Sequence, residues 1–387
     1  MKAIVMRRVV FGVLAAGSLV MAGCSTVDKL NPFSSAPKIK PAELPTIQPT
    51  AELRLNWQAS AGSAGEYTLT PALAGDSVYA ASRDGNITRF DGGKQVWRVS
   101  AGQVISGGVG SDGKLVVVGT PKGEVLAFDA ETGKELWSTR VSSEILAAPA
   151  VTPDLVVVRS GDSSIYGFDP ADGKRRWVFQ RTSPALSLRS AVGVYVDGRV
   201  TLAGFPGGKL IAIANNNGAA VWEVSVALPK GATELERVAD VTSNPVGQGS
   251  QVCAAAFQGR VSCFDTNNGS TLWSRPMSSS AGLDIDNRYV YATDDKGAVH
   301  ALDRTTGASV WKQDKLFLRR VSRPLALGNL IAVADFQGHV YLLKREDGEF
   351  AARLATDGSA VRANLQRFGQ GFLAQTANGG VYSLEAR

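Results

Sequence analysis

The side chains best suited to catalysis or metal binding are few and scattered in this sequence. Its 387 residues include two histidines, His300 and His339, and three cysteines. A zinc or other transition-metal site needs several such ligands at short spacing, such as His-x-His or clustered cysteines. Each histidine instead stands alone in a stretch that alternates apolar and polar residues, which predicts an ordinary strand position. We therefore expect no metal site and no catalytic residue.

The first cysteine follows a segment that is typical of secreted proteins. A basic start precedes an apolar run over residues 9–21, which is too short for a permanent membrane span but suits a signal peptide. The next residues, Met-Ala-Gly-Cys24, resemble the lipobox of bacterial lipoproteins, in which the peptide is cut before an acylated cysteine. The resemblance implies that residues 1–23 are removed and that a lipid such as palmitate on Cys24 anchors the chain to a membrane. The alternative is an ordinary signal peptide with an incidental cysteine.

The mature chain divides into a short linker and a large body. Residues 24–51 are rich in proline and poor in large apolar side chains, which predicts a semi-extended tether, and residues 52–387 form the folded domain. The chain has 41 basic against 35 acidic residues, and the predicted signal peptide removes basic residues only. The remaining excess is small and dispersed, which argues against a nucleic-acid partner.

Similar segments recur along the body, and each ends in tryptophan. Examples are GEVLAFDAETGKELW at 123–137 and GAVHALDRTTGASVW at 297–311, and all seven tryptophans of the chain occupy this one slot. Each unit combines short alternating strands, a glycine turn and a tight Asp-x-x-x-Gly turn before the tryptophan strand. Repeats of about 40 residues with several short strands predict a β-propeller. We expect each tryptophan to lie between consecutive blades as a structural residue.

The number of blades follows from the two ends of the body. The seventh unit has Ala352 in the tryptophan slot, and the last unit, at 379–387, stops after its third strand. Trp57 lies on a strand with no blade of its own. Pairing that strand with the C-terminal strands completes a blade and removes free sheet edges. The prediction is an all-β, eight-bladed β-propeller of four-stranded antiparallel blades, with the last blade closed by the N- and C-terminal strands.

The pattern Ala-x-Asp-x-x-Thr-Gly-x-x-x-Trp, at 127–137 and 301–311, resembles the quinoprotein-type propeller repeat. Two kinds of protein share it: quinone-dependent dehydrogenases, and the BamB family of lipoproteins in the complex that folds and inserts outer-membrane β-barrels. The dehydrogenases are much longer and need a bound quinone and a metal. The resemblance therefore favours a non-enzymatic, cofactor-free scaffold at the periplasmic side of the outer membrane. The alternatives are a dehydrogenase-like propeller and a periplasmic propeller that binds a small ligand or sugar among aromatic residues at its channel mouth.

Two neighbouring connections between units, within 177–194 and 222–245, are longer than the others and should emerge on the same propeller face. The first carries Leu186, Leu188 and Arg189, a composition favoured at the centres of protein interfaces. The alternative is that both leucines fold inward while the arginine forms a local ion pair, for example with an aspartate of the second connection.

BamB proteins use a Leu-x-Leu-Arg loop and an adjacent Asp-x-Asp loop to dock the POTRA domains of the insertase BamA. Leu186, Leu188 and Arg189 match the first motif. The second matches only in part, because Asp240 is followed by Thr242 where the second acid would stand. The resemblance implies that these residues bind a BamA-like insertase, together with other subunits of the same complex.

The remaining cysteines, Cys253 and Cys263, flank the Gly259 turn on successive strands and could face each other across the hairpin. A disulfide is reasonable in the oxidising periplasm. Two buried free thiols that behave as small apolar side chains are the alternative.

Overall fold

The computed structural model describes residues 39–387, which form strands and turns and no helix. The strands build eight separate four-stranded antiparallel sheets, which follow one another around a ring as blades. This confirms the predicted eight-bladed β-propeller. The predicted signal peptide (1–23), Cys24 and the first part of the tether lie outside the described residues. Within the described range no helix has the length and apolar character needed to cross a membrane.

The first four blades contain strands β2 to β17. Blade 1 consists of β2 (Ala72–Ala74), β3 (Ser77–Ala81), β4 (Asn86–Asp91) and β5 (Lys94–Ser100). Blade 2 consists of β6 (Gly107–Ser111), β7 (Leu115–Gly119), β8 (Glu124–Asp129) and β9 (Glu135–Arg140). Blade 3 consists of β10 (Ala150–Val151), β11 (Val156–Arg159), β12 (Ile165–Phe168) and β13 (Arg175–Phe179). Blade 4 consists of β14 (Val194–Asp197), β15 (Val200–Phe205), β16 (Lys209–Ala214) and β17 (Ala220–Ser225).

The last four blades contain the remaining strands, including the first of the chain. Blade 5 consists of β18 (Val246–Gln248), β19 (Gln251–Ala255), β20 (Arg260–Asp265) and β21 (Thr271–Pro276). Blade 6 consists of β22 (Gly282–Ile285), β23 (Tyr289–Thr293), β24 (Val299–Asp303) and β25 (Ser309–Gln313). Blade 7 consists of β26 (Leu325–Leu327), β27 (Leu330–Ala334), β28 (His339–Lys344) and β29 (Phe350–Ala355). Blade 8 consists of β30 (Gln366–Phe368), β31 (Gly371–Gln375), β32 (Gly380–Ala386) and β1 (Leu53–Ser60).

The core of the molecule lies between blades rather than inside any one of them. A four-stranded sheet can bury its two faces only against its neighbours, so inner strands such as β7 (LVVVG) are apolar and buried on both faces. Each of the eight blade interfaces within residues 39–387 has its own cluster of buried apolar side chains. The cluster of Val78, Phe90, Leu373 and Val381 joins blade 8 to blade 1 and closes the ring.

In six repeats a tryptophan links its blade to the next one. The indole N–H donates to a backbone carbonyl in the tight turn of the following blade, at 2.7 to 3.2 Å. The pairs are Trp97 with Ala130, Trp137 with Pro170, Trp177 with Asn215, Trp222 with Thr266, Trp273 with Arg304, and Trp311 with Arg345. The predicted position of the tryptophans between blades is confirmed.

The same turns show why glycine follows the aspartate in the repeat. At Gly307 the backbone has a φ of 70°, in the left-handed region that disfavours other residues. A Cβ atom at Gly307 would also lie 2.5 Å from the Trp273 ring, closer than atoms can pack. Glycine therefore serves two purposes in the turn, since it permits the bend and leaves room for the indole of the preceding blade.

The eighth blade is built from both ends of the folded domain. Strand β1 pairs antiparallel with β32, and the Trp57 side chain packs against Gly93 of blade 1. Blade 7 is the one with Ala352 in the tryptophan slot. Blade 8 has no turn between its third and fourth strands, because β32 and β1 are far apart in the sequence, so a tryptophan from blade 7 would lack its usual acceptor. Instead, the backbone N–H groups of Thr50 and Ala51 donate to the carbonyl of Ala351, at 2.9 and 3.2 Å.

The segment before β1 also lies on the propeller. The compact unit spans Pro41–Arg387 and so begins before the predicted domain boundary at residue 52. The Ala42 N–H donates to the Phe317 carbonyl at 2.9 Å, and Arg353 donates to the Pro45 carbonyl at 2.9 Å. Residues 41–52 have no regular secondary structure, and these hydrogen bonds hold them against blade 7 and the connection that precedes it.

Cys253 and Cys263 occupy directly paired positions of β19 and β20. Both residues are fully buried, their Cα atoms are 4.1 Å apart, and the structure joins them in a disulfide. The link lies inside blade 5, in the apolar cluster shared with blade 6.

We predict that Trp273→Ala lowers the free energy of unfolding in urea by about 3–5 kcal/mol, because it opens a cavity between blades 5 and 6. Leu272→Ala is the matched control. Leu272 is the neighbouring residue on β21 and is 48% exposed, so its truncation should cost less than about 0.5 kcal/mol. Equal effects of the two changes would show that the indole is not what joins the blades.

We predict that the Cys24→Ser chain, denatured without reductant, has no titratable thiol, and that it has two after reduction. The Cys253→Ala/Cys263→Ala variant should lose roughly 2–3 kcal/mol of stability, since closing the short hairpin loop restricts the unfolded chain. Two thiols before reduction would mean that the cysteines are free.

Candidate partner-binding site

The two long connections emerge on one face of the propeller, at the mouth of its central channel. All connections from an outermost strand to the next innermost strand reach this face, and residues from every one of the eight blades or their connections line a cavity of about 1110 Å³ there. Both long connections contribute to it, through residues 188–193 and 242–244. The geometry thus brings together the two loops that the sequence singled out.

The first loop presents an apolar patch beside an arginine. Leu186 is 42% exposed and Leu188 is 40% exposed. The Arg189 side chain is 60% exposed. The leucines therefore do not fold into the core, and we refer to these three residues as the docking patch. Their role in binding a partner stays a prediction.

Asp240 fixes the backbone of this loop from below. Its side chain is 3% exposed, and its two carboxylate oxygens accept the N–H groups of Leu188, at 2.7 Å, and Gly207, at 2.9 Å. Farther along, Asn244 accepts the N–H of Gly193 at 2.6 Å. Hydrogen bonds to a charged acceptor are among the stronger ones in proteins. Asp240 therefore supports the docking patch and is itself covered by it.

Arg189 forms an ion pair with Glu144 of the connection between blades 2 and 3. Its Nε and Nη2 atoms donate to the two carboxylate oxygens, at 2.8 and 2.7 Å. These hydrogen bonds hold the pKa of Glu144 below its ordinary value. Such an exposed pair adds little stability, but its two-pronged geometry fixes the direction of the guanidinium. The sequence suggested an aspartate as the ion-pair partner, and the structure instead provides Glu144, which no motif marked.

A second arginine lies beneath the patch. Arg159 donates to the carbonyl of Gly204, and its guanidinium lies 5.3 Å from the centre of the Phe205 ring. Burial lowers the pKa of Arg159 to about 10, and the negative charge of Asp240 opposes that shift. Arg159 therefore remains protonated at neutral pH. Together with Asp240 and Leu188 it lines a small cavity of about 210 Å³ directly under the patch.

The second loop departs from the family pattern at Thr242. Its hydroxyl is buried and has no hydrogen-bond partner among residues 39–387. Thr242 lines the channel-mouth cavity. A carboxylate at this position would bring a negative charge to the cavity wall, so its replacement by threonine alters the charge of the mouth.

The two histidines do not line the channel-mouth cavity, and Cys24 lies outside the described residues. His300, on β24, is 3.0 Å from Asp294, and His339, on β28, is 3.5 Å from Asp335. In the described part of the chain no group of three or more histidine, cysteine or acidic side chains is arranged to hold a metal ion. Phe336 is the one aromatic residue among those that line the channel mouth, so the aromatic cluster expected of a sugar-binding propeller is not found there.

Comparison with known proteins agrees with the family resemblance that the repeat indicated. The family model described as outer membrane protein assembly factor BamB matches residues 83–313. A protein of Bordetella pertussis with the same name is 41% identical over 377 residues, which cover 97% of this chain and 96% of the relative. The chain belongs to the BamB family.

Two kinds of solved propeller structure are similar to this BamB-family chain. The crystal structure of BamB from Moraxella catarrhalis is similar with a TM-score of 0.80 and 29% identity, over 86% of this chain and 100% of that one. A quinohemoprotein alcohol dehydrogenase from Pseudomonas putida HK5 has a TM-score of 0.71 but 14% identity, over 86% of this chain and 76% of the enzyme. The second likeness shows a shared fold alone, so the dehydrogenase alternative is not favoured.

We predict that Asp240→Asn loosens the docking loop, because an amide has one acceptor oxygen for two N–H donors and no charge. Hydrogen–deuterium exchange should accelerate at the amides of Leu188 and Gly207, and stability should fall by roughly 1.5–3 kcal/mol. Asp314→Asn, on an exposed aspartate, is the control and should leave both amides unchanged. Unaltered exchange in Asp240→Asn would show that other contacts hold the loop.

Proposed function

We propose that this chain is a non-enzymatic assembly factor for outer-membrane β-barrel proteins, which docks onto the periplasmic POTRA domains of a BamA-like insertase through the docking patch. Membership of the BamB family supports the role, since its relatives are named outer membrane protein assembly factors. The observation that carries the proposal is the state of the loop: Leu186, Leu188 and Arg189 are exposed, while the backbone behind them is tightly held.

The chemistry of the patch suits a protein partner. Two leucines supply apolar area that a partner can cover, and the planar guanidinium of Arg189 can donate to carboxylates or carbonyls at the same time. Because Asp240 and Glu144 already fix the loop and the guanidinium, little conformational entropy is lost on docking. The docking patch is therefore preorganised for binding.

The N-terminal segment accounts for where the chain is located in the cell. A lipid on Cys24 holds the chain at the outer membrane, and the propeller faces the periplasm. Residues 24–40 precede the compact unit, and a semi-extended segment of that many residues spans roughly 50 Å at about 3 Å per residue. This length lets the propeller stand beside the periplasmic domains of a membrane-embedded partner. The docking patch then gives the insertase a preferred orientation relative to the propeller.

We predict that Arg189→Glu, or Leu188→Asp, reduces co-purification of the insertase from membranes by at least about tenfold, because each change puts a negative charge at the centre of the patch. Lys312→Glu and Val310→Asp are matched controls on β25, where both residues are exposed. The circular dichroism spectrum should stay that of the unaltered chain in all four variants.

Undiminished co-purification in both patch variants would remove these residues from the docking site. An equal loss in the controls would show a general effect of surface charge.

A further inference from the structure

The channel mouth is strongly cationic. Among the described residues that line its cavity are five arginines, and no lysine, aspartate or glutamate lines it. The arginines are Arg189, Arg320, Arg323, Arg362 and Arg367. They come from opposite sides of the ring, since Arg189 precedes blade 4 and the other four belong to blades 7 and 8 or their connections. Arg189 is shared with the docking patch, and the other four are separate from it.

Two of these guanidinium groups share a single carboxylate behind the cavity wall. Arg323 donates to Asp284 at 3.2 Å and to the Leu283 carbonyl at 2.7 Å. Arg367 donates to the other oxygen of Asp284 at 3.1 Å, and to the Ala326 carbonyl at 3.0 Å. Asp284 is 3% exposed, so it neutralises one of the two positive charges and is not accessible from the cavity.

Two further arginines have no carboxylate partner within residues 39–387. Arg362 donates to the Gly65 carbonyl at 2.8 Å and forms no ion pair there. Arg320 makes no hydrogen bond or ion pair in the described chain, and its backbone φ of 49° lies in the left-handed region. The preceding residue, Arg319, is buried and donates to Asp335 at 2.8 Å, which anchors the loop and leaves Arg320 at the mouth.

Polar side chains occupy the uncharged part of the wall. Thr242, Ser243, Asn364 and Gln366 line the cavity. The hydroxyls of Thr242 and Ser243 are buried and have no hydrogen-bond partner among the described residues, whereas the Gln366 Nε2 atom donates to the Pro71 carbonyl at 2.8 Å. The donor and acceptor capacity left on these side chains suits a ligand that brings donors or acceptors of its own.

We propose that the channel mouth is a binding site for an acidic peptide segment. Arginines spread around a recessed wall attract negative charge and bind carboxylates with two parallel hydrogen bonds. Hydroxyls and amides between them suit the N–H and C=O groups of a peptide backbone. The volume of about 1110 Å³ exceeds the roughly 300–1,000 Å³ of ordinary small-molecule pockets, which fits several residues of chain better than a single small anion.

Thr242 leaves its part of the wall uncharged. It stands where the family pattern has a second acid, and it lines the same cavity as the arginines. With threonine there, no carboxylate of the described chain competes with the ligand for the guanidinium groups at the wall.

The test measures binding of a fluorescent hexaglutamate peptide to the purified full chain by anisotropy, with a hexalysine peptide for comparison. The glutamate peptide should bind, the lysine peptide should not, and the affinity should fall as salt screens the charges. Arg320→Glu, Arg362→Glu and Thr242→Asp should each weaken binding by about tenfold, since each places a carboxylate in the mouth. Arg320→Gln, which removes one charge, should weaken it by about threefold.

Lys174→Glu and Lys312→Glu are the controls, because both lysines are exposed and do not line the cavity. Full affinity in these controls, with circular dichroism showing that every variant is folded, would support the site. Equal weakening in the controls, or unchanged affinity in the arginine and threonine variants, would overturn it. If inorganic phosphate or phosphatidylglycerol vesicles displaced the labelled peptide at a lower concentration than unlabelled hexaglutamate does, the mouth would be a phosphate site instead. No insertase is present in this assay, so its outcome is independent of the proposed docking.

Discussion

The contact between a tryptophan and the tight turn of the next blade is the constraint on which the propeller depends. The indole fills the space above a glycine, as Trp273 does at Gly307, and donates its N–H to a carbonyl in the same turn. One residue therefore buries a large apolar ring and satisfies its polar group across a blade interface. Because the contact recurs around the ring, each sheet is placed by its neighbour, and no blade has a core of its own.

The ring closes where this contact cannot form. Blade 8 takes its outer strand, β1, from the start of the domain, so no turn joins β32 to β1 where a tryptophan from blade 7 would find its acceptor. Alanine occupies the slot at 352, and the backbone of residues 50–51 bonds to Ala351 instead. Pairing of β1 with β32 then fastens the first and last parts of the domain to each other. The closure leaves the segment before β1 lying along blades 6 and 7.

A rigid ring allows its connections to hold side chains in fixed positions at one face. Asp240 accepts two backbone N–H groups from beneath the docking patch, and Glu144 directs the guanidinium of Arg189. At the channel mouth, buried acids such as Asp284 secure arginines while facing away from the cavity. In both places an acidic side chain holds its neighbours in position, the backbone or guanidinium of the docking patch in one case and the arginines of the cavity wall in the other.

The sequence by itself determined the architecture, because the tryptophan, the turn glycine and the alternation of apolar residues recur together in each repeat. The two departures from the repeat, at Ala352 and Trp57, indicated how the ring closes. It also identified Leu186, Leu188 and Arg189 as candidate binding residues, since the lengths of the connections between repeats can be counted along the sequence. Only the tertiary structure decided that Asp240 supports the loop from below, that Glu144 is the partner of Arg189, and that arginines far apart in the chain surround one cavity. Those contacts join residues of different blades or connections, which are far apart in the sequence. Such contacts produce no recognisable pattern in a single sequence.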